Sequence, residues 1–175
     1  MKTYVTHGLY IALAGLVVAL LMFVTGMHSD PAKLALSSGI RTVCHWGCGI
    51  LFIALAVRER RAAADPARAF AYGDALWAGV ATALWTALFD LVWVTLYFAV
   101  IDPHMNEILL QNTMAKYQAH GMDGARLDQM ERIMHYAFTP WAQAGIVAFG
   151  AVIGGTIVAL VVAACFQRPA EPAQA

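Results

Sequence analysis

The chain has 175 residues, of which 61% are hydrophobic and only 13% charged. A soluble domain carries about a quarter charged residues, so this composition excludes an ordinary water-soluble fold and fits an apolar exterior set in a bilayer. Eleven Lys/Arg balance eleven Asp/Glu, leaving no net charge to attract nucleic acid. Three cysteines, two of them four apart, make no disulfide framework.

A membrane-spanning helix needs about 20 mostly apolar residues. Four segments meet this, which predicts an all-α, integral membrane four-helix bundle in a single domain. The first runs from Gly8 to Met27 without a charge. It exceeds the roughly 7–15 residues of a signal-peptide core, and no small-x-small cleavage site follows it, so it is retained as a helix. The second, from Ile40 or Arg41 to Val57, is the shortest and most polar. The third, from Ala75 to Ile101, is apolar except for Asp90. The fourth runs from Trp141 to Phe166. Residues 168–175 read as a disordered tail.

Between the second and third segments, the 58–72 loop holds Arg58, Arg60, Arg61 and Arg68. Short basic loops face the cytoplasm. This places both termini and that loop inside, and the 102–139 connection outside. That connection is too long for a plain loop. Asp102-Pro103 reads as a helix start, an N-cap acceptor followed by proline. Gly121 is suited to a left-handed helix end, and Asp123 to capping a second helix. There Leu127, Met130, Ile133, Met134, Ala137 and Phe138 form one apolar face, expected to rest on the bundle mouth or the membrane surface. Thr139-Pro140 opens the fourth span. Trp46, Trp141, Tyr72 and Tyr97 fall where interfacial rings settle.

Several of these pieces occur in a recurring order: Tyr72-Gly73-Asp74-Ala75 entering the third span, Asp102-Pro103 leaving it, Gly121-Met122 in the outer segment, Phe138-Thr139-Pro140 entering the fourth, and Arg168 in a basic tail. Over residues 70–168 the chain resembles the bacterial four-helix membrane proteins catalogued as domain of unknown function 4199. The first two spans match it in position and hydrophobicity, and the outer segment is poorer in Glu and Lys than is usual there. The resemblance implies a bacterial inner membrane and brings no catalytic residue or substrate.

Small residues recur every four positions in the third span at Ala75, Gly79, Ala83 and Ala87, and in the fourth at Ala151, Gly155, Ala159 and Ala163, beside Gly150 and Gly154. Such ladders let helix backbones approach closely, within one subunit or between subunits. Asp90 shares the third ladder's face, so it points into a bundle or an interface and not into lipid. An intramembrane carboxylate is expensive and marks a candidate functional site. Depth makes His45 and Arg41 its candidate partners. Cys44, His45 and Cys48 would need a further ligand to hold zinc, and read as packed thiols. Methionines and histidines of the outer segment are the residue types that suit copper, but Met also fills amphipathic faces. No metal or other cofactor is expected. No phosphate loop, nucleophile elbow or nucleic-acid signature is present. The leading expectation is a non-enzymatic assembly module or accessory subunit of an envelope complex, acting as a homo-oligomer or with a membrane-protein partner. The alternative is a small transporter or ion-coupled protein centred on Asp90.

Overall fold

The computed structural model describes residues 2–28, 30, 32–65 and 68–167. Arg168 and the expected tail lie outside them. Six α-helices follow in order: α1 (Lys2–Val24), α2 (Leu34–Ala62), α3 (Tyr72–Leu96), α4 (His104–Ala119), α5 (Gly124–Ala137) and α6 (Pro140–Phe166), with a π-helical turn (Tyr97–Ile101) continuing α3. Four of them, α1, α2, α3 with its π turn, and α6, are long and apolar enough to cross a membrane.

Local chemistry explains the ends. Gly26 closes α1 with φ +68°, while Met27 N–H donates to Met22 O and Gly26 N–H to Phe23 O. Gly121 repeats this pattern after α4 with φ +81°, where Met122 N–H reaches Tyr117 O. Both are Schellman ends, which satisfy the last carbonyls of a helix and favour glycine. The Asp74 carboxylate in the first turn of α3 accepts from Ala71 N–H at 3.3 Å. Thr139 Oγ1 accepts from Ala142 N–H and so caps α6, with Pro140 in the first turn.

The second helix is much longer than its apolar stretch, since the flanking residues 34–39 and 58–62 contain no proline. The first begins earlier than expected, which puts His7 inside α1 and within 3.5 Å of Glu59 of α2. Of the expected apolar face in α5, Ile133 is exposed, while Leu127, Met130, Met134 and Ala137 are half-buried, as is Phe138 just beyond the helix. Helix α5 meets α4 and α6 along short stretches.

Helix α3 is the centre of the bundle, packed chiefly on α6 and then on α1. A Cβ added at Gly79 would stand 2.5 Å from Ala159 Cβ, and one at Gly155 only 2.4 Å from Ala83 Cβ. The two ladders therefore mesh with each other within one chain. On the other side, a Cβ at Gly8 would meet Trp85 Cβ at 2.8 Å, and Thr86 Oγ1 donates to Gly8 O at 3.4 Å. Gly154 approaches the Trp46 ring of α2. Helix α2 packs less closely on α3 than α1 or α6 does.

Candidate functional site

Two apolar clusters close the ends of the bundle. One gathers Ile53, Val57, Phe70 and Ala159 near the 58–72 loop, and the other Ala19, Leu34, Val94 and Phe98 near the opposite end. At the inner edge of the second cluster the helices part around a cavity of about 270 Å³. Its walls are Gly15 and Ala19 of α1, His28, four residues of α2 (Arg41, Thr42, His45, Trp46), Asp90, Trp93 and Val94 of α3, Tyr97 and Phe98 of the π turn, Met105 of α4, and Val147, Gly150 and Ala151 of α6. A void of about 30 Å³ below it shares His45, Trp46 and Ala151. That is about the volume of one water.

Asp90 and Arg41 both belong to this cavity, but they are not paired. Asp90 is 1% exposed, and its Oδ1 accepts from Trp93 Nε1 at 2.7 Å. Its Oδ2 is buried with no hydrogen-bond partner among the described residues. Neither Arg41 nor His45 forms an ion pair with it among those residues. The expected partner is thus replaced by Trp93, three residues on and on the same helical face. Arg41 and Thr42 are exposed at the cavity rim, with Trp46 and Gly150. These four residues belong to α2 and α6, so the cavity opens sideways between those helices. Along the helices, Arg41 lies about 10 Å from the start of α2 and Asp90 about 16 Å from the end of the π turn, at 1.5 Å per residue.

A second polar group stands beside the cavity. His28 Nδ1 lies 2.6 Å from Tyr97 Oη, and Tyr97 Oη donates to Asp102 Oδ2 at 3.4 Å. Tyr97 Oη has one proton for these two neighbours, so when it donates to Asp102 the His28 Nδ1 must be the protonated ring nitrogen. All three side chains are buried. The π turn makes this possible: its bond from Asp102 N–H to Tyr97 O spans five residues and swings Asp102 back under the Tyr97 ring. Such turns often mark functional positions. Burial pushes His28 below its ordinary value of 6.5, the Asp102 carboxylate opposes that shift, and the Arg41 guanidinium adds to it.

Two expectations change here. Asp102 is not the side-chain cap of α4, which has none; its carboxylate faces Tyr97 and His28 instead. Tyr97 is no interfacial ring, being 2% exposed. Cys44 and Cys48 are half-buried free thiols, and among the described residues no three His, Cys, Asp or Glu side chains gather as a metal site. Trp93, Tyr97 and Asp102 were not among the sequence-derived candidates for chemistry. Trp93 and Tyr97 sit three and seven positions after Asp90, a spacing that puts all three on one face.

The family model described as Protein of unknown function (DUF4199) matches residues 6–168. The chain belongs to that family, and the match takes in the first two helices as well as the stretch whose motifs carried the resemblance. No curated protein and no solved structure matches the chain.

Proposed function

We propose that this chain is a multi-pass protein of the bacterial inner membrane that binds a small solute inside the bilayer, at the cavity of Asp90 and Arg41. The reading is of the transporter or ion-coupled class and involves no enzymatic chemistry. The observation that carries it is the buried Asp90 Oδ2 without a partner. A bundle selected only for assembly has no reason to keep a carboxylate half-satisfied at that depth, since an unpaired buried polar group costs about 1–3 kcal/mol or more. Such groups in native structures point to a bound water or ion, a ligand, a proton or a catalytic duty.

An assembly role loses its main support because the small-residue ladders are occupied by each other. What still favours that second reading is α5, none of whose side chains is buried. In the proposed orientation both termini and the 58–72 loop are cytoplasmic, α4 and α5 form an extramembrane hairpin outside, and the cavity lies in the outer half of the bilayer.

The test is whether water reaches the cavity. In a variant with Cys44, Cys48 and Cys165 replaced, Thr42→Cys should react with a small hydrophilic thiol reagent in intact membranes. Val43→Cys, 73% exposed and absent from the cavity wall, should face lipid and stay unmodified. Two unreactive positions would refute a water-reachable site.

A further inference from the structure

The two charged groups of the cavity define what it takes. Arg41 has no hydrogen-bond or ion-pair partner among the described residues, and Asp90 has an oxygen in the same condition. Both line one cavity, yet they do not neutralise each other. Asp90, buried, calls for an opposite charge with hydrogen bonds, and Arg41, exposed at the rim, is open to an anion. A ligand with only one charge would satisfy one residue and leave the other uncompensated. The guanidinium fork matches carboxylate or phosphate oxygens, and a carboxylate matches an ammonium.

The opening says where such a ligand comes from. Its rim is formed by α2 and α6, and the space beyond Gly150 is free for 4 Å around an added Cβ. Exposed apolar side chains flank it: Val43 and Ile50 on α2, Ile146 and Phe149 on α6. These offer a path for hydrocarbon outside the bundle while a polar group sits within. A volume of about 270 Å³ lies just below the usual range for small-molecule sites of roughly 300–1,000 Å³ and suits a head group, with the chains left in the lipid.

We propose that the cavity binds the head group of a zwitterionic lipid entering between α2 and α6, its phosphate on Arg41 and its ammonium on Asp90. This rests on the reading of the cavity as a solute site and names the solute.

The test uses the full chain, delipidated in detergent and given equal amounts of phosphatidylethanolamine and phosphatidylglycerol, with bound lipid counted by native mass spectrometry. The wild type should retain phosphatidylethanolamine about tenfold over phosphatidylglycerol, the scale of one charge-assisted hydrogen bond. Asp90→Asn should bring that preference near parity while phosphate binding persists. Arg41→Gln should lower retention of both lipids about tenfold. Gly150→Phe, whose Cβ would meet nothing within 4 Å, should obstruct the opening and lower both as well. Equal retention by the wild type, or an undiminished preference in Asp90→Asn, would overturn the proposal. Soluble phosphoethanolamine should leave the wild-type melting temperature unchanged. If it stabilises the protein as much as the lipid does, the ligand is a free solute and the lipid assignment fails. A Thr42→Cys variant that reacts as proposed above, beside a wild type without lipid preference, would sink this assignment alone and leave the solute site standing.

Discussion

Trp93 Nε1 donates to Asp90 Oδ1 at 2.7 Å, and this is the one hydrogen bond that the Asp90 carboxylate makes among the described residues. The geometry ranks three substitutions. Asp90→Asn keeps an oxygen for Trp93 and removes a charge, so its stability should stay within about 1 kcal/mol of wild type. Asp90→Leu leaves the indole N–H without an acceptor in a tight bundle and should cost about 1–3 kcal/mol. Trp93→Phe leaves both carboxylate oxygens bare and should cost at least as much. Thermal unfolding in detergent measures all three. Equal melting temperatures would mean that the contact has no structural weight.

The interlocked ladders predict a contrast between two glycines five residues apart. At Gly155 even a methyl would fall 2.4 Å from Ala83 Cβ. Gly155→Ala should therefore force α3 and α6 apart and destabilise by about 1–3 kcal/mol. At Gly150 nothing lies within 4 Å of an added Cβ. Gly150→Ala should be neutral, or stabilise by about 0.5–1 kcal/mol through helix propensity. Both are read from melting curves. If the Gly155 variant melts like wild type and instead changes its cross-linking pattern in membranes, the ladder serves a subunit contact.

The four long helices were readable because a hydrocarbon core sets a length and a polarity that few other structures share. Asp90 was readable for the same reason, as a carboxylate in an apolar run. Its surroundings were not. Tyr97 lies near a span end, where tyrosine usually faces head groups, and only the π turn carries it inward to Asp102. His28 belongs to a short connection whose return path no periodicity encodes, yet it meets a residue 69 positions away. Asp102 has a local reading, as a cap before proline, and a tertiary one, as the acceptor for Tyr97. The tertiary contact wins because burial beside a phenol and an imidazole leaves that carboxylate no water. Gly26, with φ +68°, was legible in principle as a helix end, but hydropathy runs past it to Met27 and hides the boundary.

The proposed orientation has its own test. Ala119 and Ala63 are both exposed in the structure, one at the end of α4 and the other after the Arg-rich end of α2. In the cysteine-free background, Ala119→Cys should react with an impermeant thiol reagent added to spheroplasts, and Ala63→Cys should react only after the membrane is opened. The reverse pattern would show that the arginine loop faces outward, against the bias that short basic loops obey.

His28 predicts a pH dependence of stability, with a sign set by its surroundings. Burial holds its imidazolium below the ordinary 6.5, Asp102 works against that shift, and Arg41 works with it; Tyr97 contacts the ring directly. The folded chain therefore binds fewer protons at this site than the unfolded chain does, between the lowered folded value and 6.5. In that window stability rises with pH. The contribution is fully present above about pH 6.5 and is lost as pH falls through the folded value, below which both states are protonated. Melting temperatures taken from pH 8 down to pH 5 should accordingly fall on the acid side of 6.5. His28→Asn retains a hydrogen-bonding amide beside Tyr97 but does not titrate, so its curve should be flatter across that window. A wild-type curve that rises towards acid would mean that the Asp102 carboxylate, not burial, dominates His28. A fall of the same size in His28→Asn would assign the dependence to another group.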